Sequence, residues 1–242
     1  MRYAILADIH SNLAALEAVL KDIQGRGGAD EIWCLGDIVG YGPDPHECIE
    51  LVRRHCSACV AGNHDWAAVG KVNTTDFNPE AAEAVQWTHR QLKPDEIRYL
   101  EGLPLTLEKG DFTLVHGSPR EPIWEYILAE EEAEENLKYF KTPYCFIGHS
   151  HIPLLFQCQK ACSVKTFKAE SEVKTDDKRL IINPGSVGQP RDRDPRASYA
   201  LYESEAGILT LHRVEYDIAA TQQRMRRAAL PERLIDRLAY GR

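Results

Sequence analysis

Short apolar runs recur along the chain and usually end at glycine, asparagine, aspartate or histidine. Runs of this length that stop at turn-forming residues are typical of buried strands. The pattern predicts strands at residues 3–7, 32–35, 58–61, 112–115, 144–147, 154–156, 180–182, 198–202 and 208–214. Helical spacing of apolar residues or helix-start signals predict helices beginning near Leu13, Pro45, Pro79 and Pro94, and again after Asp217. This alternation predicts an α/β fold.

Other segments interrupt the alternation. Residues 66–110 show no strand pattern and predict a helical excursion, which either covers the sheet or forms a wall or lid over a site. Residues 157–178 are polar and predict a hairpin or loop. The acidic segment 130–135 predicts a solvated helix face. The arginine-rich final helix is interpreted as solvated or as a subunit contact, which leaves a homo-oligomer open. No repeat or interdomain linker is visible, and we expect one domain over residues 1–242.

Composition excludes several classes of protein. With 43% hydrophobic and 27% charged residues, the chain belongs with ordinary globular proteins. A net charge of -8 argues against general nucleic-acid binding, which favours a basic surface. No apolar run approaches the roughly 20 residues that span a bilayer, and the first apolar segment meets Asp8 too early for a signal peptide. We expect a cytoplasmic protein without a membrane partner.

The 7 cysteines are odd in number and scattered, so they do not indicate a disulfide framework. The pair Cys56 and Cys59 and the pair Cys158 and Cys162 allow a structural zinc site as an alternative. Their spacing fits such a site loosely. Buried, inert thiols are the simpler interpretation, and two further cysteines, Cys34 and Cys145, lie inside predicted strands.

Potential metal ligands cluster at the ends of the predicted strands. They are Asp8, His10, Asp37, Asn63, His64, His116, His149 and His151. Oxygen and imidazole ligands without cysteine favour Mn, Fe or Zn in an open site. One ion cannot use so many ligands, whereas two ions about 3.5–4 Å apart that share a carboxylate can.

The order of these residues resembles the calcineurin-like metallophosphoesterase superfamily. The motifs are D-x-H at residues 8–10, G-D at 36–37, G-N-H-D at 62–65, His116, and G-H-x-H at 148–151. The small single-domain bacterial and archaeal phosphoesterases are the most similar branch, and residues 183–186 extend the resemblance into the last third of the chain. The resemblance implies a four-layer α/β/β/α sandwich of two mixed sheets.

The resemblance also implies a role for each residue. Two divalent transition-metal ions (Mn, Fe or Zn, with Mn favoured) would be held, the first by Asp8, His10 and His151, the second by Asn63, His116 and His149, with Asp37 bridging them. His64 would bind neither ion and would act as the catalytic residue, facing the phosphate or the leaving oxygen. A metal-bridged hydroxide would attack the phosphorus.

One motif departs from the family pattern. Protein Ser/Thr phosphatases and diadenosine tetraphosphate hydrolases carry Asp-Arg-Gly shortly after the bridging aspartate, where this chain has Gly-Tyr-Gly at residues 40–42. This difference argues against protein phosphatase activity. Arg191 or Arg120 would then supply the missing positive charge, and Asn12 and Tyr41 are further candidate substrate contacts.

We therefore expect a phosphoesterase acting on a small phosphodiester or phosphomonoester of nucleotide-like character. The alternatives are a non-catalytic, metal-binding interaction scaffold and, less favoured, a nuclease or a protein phosphatase. Scaffold members of the superfamily lose metal ligands, whereas this chain keeps the full set together with His64. The negative charge opposes a nuclease.

Overall fold

The computed structural model describes residues 1–159, 161–175 and 178–242. Their strands are β1 Arg2–Leu6, β2 Glu31–Cys34, β3 Ala58–Cys59, β4 Thr106–Lys109, β5 Phe112–Val115, β6 Tyr144–Phe146, β7 Pro153–Cys158, β8 Cys162–Thr166, β9 Glu172–Lys174, β10 Arg179–Pro184, β11 Ala197–Glu203 and β12 Ile208–Val214. Their helices are α1 Leu13–Gly25, α2 Pro45–His55, α3 Asn63–Ala68, α4 Pro79–Gln91, α5 Pro94–Glu101, α6 Glu130–Asn136, α7 Ile218–Arg227 and α8 Glu232–Arg237. A 3-10 turn, Thr74–Asp76, precedes α4. No helix of the described ranges is long and apolar enough to cross a membrane.

The strands form two 6-stranded mixed sheets. The first has the order β3-β2-β1-β11-β12-β9, and the second has the order β4-β5-β6-β10-β7-β8. Strands β1, β2 and β3 are parallel to one another, as are β5, β6 and β10. The carboxyl ends of each parallel set therefore share one edge of their sheet.

Alternation along the strands divides the core into layers. In β1, Ala4 and Leu6 pack towards α1 and α2, while Ile5 packs with Trp33 and with Phe112 of the second sheet. Successive side chains of a strand point to opposite faces, which lets one strand serve both layers. A third apolar cluster lies between the second sheet and α6. The predicted α/β/β/α layering is confirmed.

Local sequence accounts for the helix starts. The side chain of Asn12 accepts from the amide of Ala15 and caps α1, and Asn78 caps α4 through the amide of Ala81, with Pro79 in the first turn. Side-chain caps of this kind satisfy amides that have no partner within the helix.

The predicted boundaries need three corrections. The helical excursion at residues 66–110 ends at Glu101, because β4 pairs with β5 as an antiparallel hairpin. The last helical stretch is two helices, interrupted before Pro231, since proline disrupts a helix interior. Residues 157–178 contain the predicted hairpin, β7 with β8, and also β9. Residues 160, 176 and 177 of that segment lie outside the described residues.

The prediction for the cysteines was wrong in one respect. Cys158 and Cys162 form a disulfide across the β7–β8 hairpin, where antiparallel register makes them direct neighbours. Cys56 and Cys59 belong instead to the first sheet and its helix, where Cys59 lies beside Cys34. The two pairs do not meet, so the alternative of a four-cysteine zinc site is not realised.

The acidic helix α6 is only partly a solvated face. Glu134 accepts a hydrogen bond from the amide of Cys162 (2.8 Å) and Glu130 accepts one from the amide of Val164 (2.9 Å). Both amides belong to β8, the edge strand of the second sheet. The glutamates thereby satisfy edge amides that could otherwise pair with another chain.

Glu31 of β2 connects the two sheets. Its carboxylate accepts from Trp33 and Ser57 and pairs with Lys109 of β4. These contacts, the bond from Lys109 foremost, lower the pKa of Glu31 from 4.5 to about 2. Glu31→Gln should cost about 1 kcal/mol of stability at pH 7.

Because the folded pKa lies below the unfolded one, this stabilisation is complete above about pH 5 and is lost as the pH falls towards 2. The difference in Tm between Glu31→Gln and the wild type, followed by circular dichroism, should narrow between pH 5 and pH 3. Glu108→Gln, at an exposed position of β4, is the control. A difference that stays constant over this range would contradict the assignment.

Candidate metal centre

The predicted ligands follow the carboxyl ends of five strands. Asp8 follows β1, Asp37 follows β2, Asn63 follows β3, His116 follows β5 and His149 follows β6. Parallel strands end at a common edge, where α/β sheets place their binding crevices. The two sheets therefore contribute ligands to one site from distant parts of the chain.

Backbone hydrogen bonds join the loops to one another. The amides of Asp8, His10 and Ser11 donate to the carbonyls of Gly36, Asp37 and Ile38 at 3.1, 2.9 and 2.9 Å. In the second sheet, the Gly148 amide donates to the His116 carbonyl at 2.7 Å. This pairing holds the first and second ligand loops side by side beyond the ends of their strands.

Most of the ligands have a left-handed backbone conformation. The φ values are 54° for Asp8, 50° for His10, 54° for Asp37, 65° for His149 and 60° for His151. For residues other than glycine, such conformations cost of the order of 1–3 kcal/mol each and persist only where surrounding contacts enforce them. The strain turns each side chain sharply inward at the strand end.

Four ligands form a first group, Asp8, His10, Asp37 and His151, whose ligand atoms all lie within 4.8 Å of one another. The Nε2 atoms of His10 and His151 are 3.1 Å apart. Asp37 Oδ2 lies 3.5 Å from His10 Nε2, and Asp8 Oδ1 lies 3.4 Å from His151 Nε2. Imidazole nitrogens that share one ion at about 2.0–2.1 Å lie about 3 Å apart when the ligand angle is near a right angle.

A second group shares Asp37 with the first and adds His116 and His149. Asp37 Oδ2 lies 3.4 Å from His116 Nε2. His116 Nε2 is also 3.2 Å from His149 Nδ1 and 3.1 Å from Asn63 Oδ1. All seven predicted ligands are therefore brought together, with Asp37 between the two groups.

Carbonyl acceptors set the tautomer of each imidazole. The outer ring nitrogens of His10, His116, His151 and His149 face the carbonyls of Val39 (3.1 Å), Leu35 (2.9 Å), Gln189 (2.6 Å) and Trp124 (3.2 Å). A carbonyl only accepts, so each outer nitrogen carries the proton and each inner nitrogen presents a lone pair. Facing lone pairs cannot bond to each other, whereas a cation between them satisfies both.

The carboxylates point to the same conclusion. Oδ2 of Asp8 and Oδ2 of Asp37 are buried without a hydrogen-bond donor among the described residues. Burial raises the pKa of Asp37 to about 8 and raises that of Asp8, where the charge of Asp37 adds to the effect. Burial also lowers the pKa of the four imidazoles, that of His116 to about 4. Neutral imidazoles beside carboxylates that need a counter-charge fit a divalent cation.

His64 belongs to neither group. Its amide donates to Asp37 Oδ1 at 2.8 Å, and its ring packs against Tyr41, His10 and Phe77 at centroid distances of 4.3, 4.8 and 4.8 Å. Its Nδ1 is buried without a partner among the described residues. The side chain lies beside the ligands and lines the cavity in front of them.

That cavity has a volume of about 270 Å³. Its lining comprises Asp37, Tyr41, Asn63, His64, Asp76, Phe77, Asn78, Ala81, Trp124, Tyr126, His149, His151 and Arg191. Arg191 donates to the hydroxyl of Tyr41 at 3.3 Å and to Gln189 at 2.9 Å. Two of the predicted substrate contacts, Tyr41 and Arg191, thus line the cavity beside the ligands.

The structure places two predicted substrate contacts, Asn12 and Arg120, outside the cavity lining. Asn12 is buried, caps α1 and donates to the carbonyl of Gly188 at 2.8 Å, so its side chain joins a helix start to a neighbouring loop. Arg120 pairs with Glu125 and Glu135 outside the cavity. Both residues lie in loops by sequence, and only the packing reveals which groups their side chains contact.

Sequence reasoning missed other residues around the site. Phe77, Trp124 and Tyr126 line the cavity. Aromatic residues within otherwise polar connecting segments are the sequence feature that could have indicated them. Asp65 accepts from the amides of Val39 and Gly62 at 3.1 and 3.0 Å and so joins two ligand loops. Burial raises its pKa to about 7.

Two mixed sheets with a buried Asp and His cluster at their common edge define a metal-dependent hydrolase. The family model described as the calcineurin-like phosphoesterase superfamily domain matches residues 1–207. The chain belongs to this superfamily, and it is a phosphoesterase.

Relatives support this placement. Protein MJ0912 of Methanocaldococcus jannaschii is 41% identical over 99% of this chain and 98% of its own length. A metallophosphoesterase structure from Sphaerobacter thermophilus is 50% identical, with a TM-score of 0.92, and covers 100% of this chain and 99% of its own. A symmetrical bis(5'-nucleosyl)-tetraphosphatase of Neisseria meningitidis is 30% identical over 57% of this chain and only 51% of its own length.

Gly62 provides a test of the metal centre that removes no ligand. A Cβ at this position would lie 2.0 Å from Asp37 Oδ1 and 2.4 Å from the Asp37 amide. Gly62→Ala should therefore displace Asp37 and weaken metal binding by about 10–100-fold, as supporting substitutions do. Mn²⁺ titration calorimetry measures the change.

Gly25→Ala is the matched control, because a Cβ there meets nothing within 4 Å. It should bind metal as the wild type does. Equal affinity in the two variants would mean that Asp37 does not hold the metal in the observed arrangement.

Proposed function

We propose that the protein is a dinuclear metal-dependent phosphoesterase acting on a small phosphodiester or phosphomonoester. The observation that carries this proposal is the sharing of Asp37 between two ligand groups whose imidazole lone pairs converge. One ion would be held by Asp8, His10 and His151, and the other by Asn63, His116 and His149. Mn is the favoured metal, since carboxylate, amide and imidazole ligands without cysteine suit it.

Bound metal ions would supply an activated water and Lewis-acid polarisation of the phosphoryl group. The chain's own residues prepare the site for this. The carbonyls of Val39, Leu35 and Gln189 hold the imidazoles in the ligating tautomer. The buried carboxylates supply negative charge, which lets the cations remain in a site that excludes most water.

His64 is the proposed catalytic residue. Its ring lines the cavity beside the ligands, and because Nδ1 is buried beside Gly40, Nε2 is the nitrogen that would meet substrate. From this position the imidazole can bind a phosphoryl oxygen or donate a proton to the departing alkoxide. Packing against Tyr41 and Phe77 restricts the ring to this orientation.

Arg191 is the proposed phosphate-binding cation. It lines the cavity and has no carboxylate partner among the described residues, and it is held by Tyr41 and Gln189. A guanidinium binds phosphate oxygens in a planar, bidentate manner. It would replace the arginine of the Asp-Arg-Gly motif that this chain lacks.

The segment from residue 66 to 101 is proposed as a wall of the site within a single domain of residues 1–242. Asp76, Phe77, Asn78 and Ala81 all line the cavity, which supports the wall over a purely covering role. With a volume of about 270 Å³, the cavity favours a small substrate over a protein chain or a nucleic acid.

The proposal is tested with Mn²⁺-loaded protein and a generic aryl phosphodiester and phosphomonoester. Hydrolysis of at least one, lost on chelation and restored by Mn²⁺, is the expected result. Bound metal without turnover of either ester would contradict the proposal and favour the scaffold alternative.

His64→Ala should lower kcat by about 10²–10⁴-fold, the range of general acid and base catalysis, while both metals stay bound. Elemental analysis and steady-state kinetics on the same sample measure the two quantities. His55→Ala, on the exposed end of α2, is the control. Loss of metal in His64→Ala would count against the catalytic role.

Arg191→Ala should raise KM by at least about tenfold, because a charged hydrogen-bond donor to the phosphate is lost. Initial rates over a range of substrate concentrations give the value. Arg227→Ala, an exposed arginine of α7, should leave KM unchanged. An unaltered KM in Arg191→Ala would remove this residue from the substrate site.

A further inference from the structure

The cavity is lined by two chemically different groups of residues. One group of lining residues consists of metal-ligand residues and Arg191, and a second, in contact with the first, comprises three aromatic residues, Phe77, Trp124 and Tyr126. We call these three residues the aromatic wall. They are separated in sequence, since Phe77 precedes α4 and the other two lie in the loop between β5 and α6.

Each ring of the aromatic wall is held in place. Phe77 meets Trp124 edge-to-face at a centroid distance of 5.2 Å and an angle of 79°. Tyr126 stacks on the His149 ring at 4.1 Å and 7°, yet its side chain remains 44% exposed. One face of Tyr126 is therefore covered by a metal-ligand residue while the residue stays open to solvent.

The backbone around the aromatic wall is also fixed. The Trp124 carbonyl accepts from His149 at 3.2 Å, and the neighbouring Glu125 accepts from Asn136 at 3.0 Å and pairs with Arg120. The Phe77 amide donates a hydrogen bond to the Thr74 carbonyl at 3.1 Å. Aromatic surface that is already immobilised loses little conformational entropy on binding a ligand.

Charge narrows the class of ligand. Among the described residues that line the cavity, Arg191 is the one side chain with a permanent positive charge, and Asp76, the neighbour of Phe77 in sequence, also lines it. A chain of further phosphates would meet no second cation beside these rings. A neutral, planar group would find π-surface next to the phosphoryl site.

We infer that the aromatic wall determines specificity by binding a planar ring, aryl or nucleobase, carried by the alcohol part of the phosphoester. This inference rests on the proposed function, since it takes the phosphoryl group to lie at the metal ligands. Stacking on aromatic side chains stabilises bases without requiring specific hydrogen bonds. The wall therefore selects for a ring rather than for one particular base.

The test is calorimetric and does not depend on turnover. Mn²⁺-loaded full-length protein is titrated with phenylphosphonate and methylphosphonate, and in a second arm with the non-hydrolysable 5'-phosphonates of adenosine and of ribose. Each pair carries the same anionic group with and without a ring. The ring-bearing ligand should bind about tenfold more tightly in at least one pair.

Variants separate recognition from structure. Trp124→Ala should bring the affinities of the two ligands of the pair to within about twofold of each other while the affinity for the ring-free ligand stays unchanged, and Trp124→Phe should retain most of the preference. Tyr139→Ala, an exposed aromatic residue outside the cavity (55% exposed), is the control. If Trp124 had only a structural role, its replacement would instead weaken the binding of both ligands equally.

The outcomes separate this inference from the proposed function. A preference in the phenyl pair, the adenosine pair or both supports the aromatic wall and tells an aryl from a nucleobase preference. Metal-dependent binding of methylphosphonate without any ring preference would overturn the aromatic wall alone. Failure of every ligand to bind in a metal-dependent way would overturn the proposed function as well.

Discussion

Four imidazole lone pairs converge on two buried carboxylates, and this arrangement constrains the rest of the site. The closest pair of nitrogens is 3.1 Å apart, a distance at which two acceptors repel each other unless a cation lies between them. Each inner lone pair exists because an outer ring nitrogen donates to a backbone carbonyl. The site therefore depends on main-chain carbonyls of residues that are not ligands as much as on the ligands themselves.

The rest of the fold stabilises this unfavourable arrangement. The energetic cost of the left-handed backbone conformations at the ligands is offset by hydrogen bonds between loops. One of them joins the Gly188 amide to the Asp8 carbonyl at 2.9 Å. Asn183 donates to the Gly148 carbonyl at 2.6 Å, and Ser186 donates to the Asp8 carbonyl at 2.8 Å. The segment 183–186 thus anchors ligand loops of both sheets and does not itself line the cavity.

The two groups of residues that line the cavity come from different parts of the architecture. Ligands come from strand ends, whose positions follow from the parallel pairing of β1–β3 and of β5 with β6. The aromatic wall comes from connecting segments, which can change without disturbing either sheet. The candidate ligands and the aromatic wall therefore depend on different parts of the fold.

Local sequence was sufficient to predict most strands and to place the candidate ligands at strand ends, because strand ends, turn residues and capping signals act over a few neighbouring positions. Local sequence did not predict strand β4, the end of the helical excursion at Glu101 or the interruption of the last helix before Pro231. Pairing or packing decided those boundaries. The disulfide of Cys158 and Cys162 depends on hairpin register, which scattered cysteine counts do not contain.

The sequence by itself determined which residue types stand at each strand end, and hence that oxygen and imidazole ligands were available for metal. Only the tertiary structure decided where long side chains point. Asn12 turned to a helix and a neighbouring loop, Arg120 turned to two glutamates, and Arg191 turned to the cavity. The physical reason is that a side chain's partners come from segments more than a hundred residues away in several of these cases, and no local pattern encodes them.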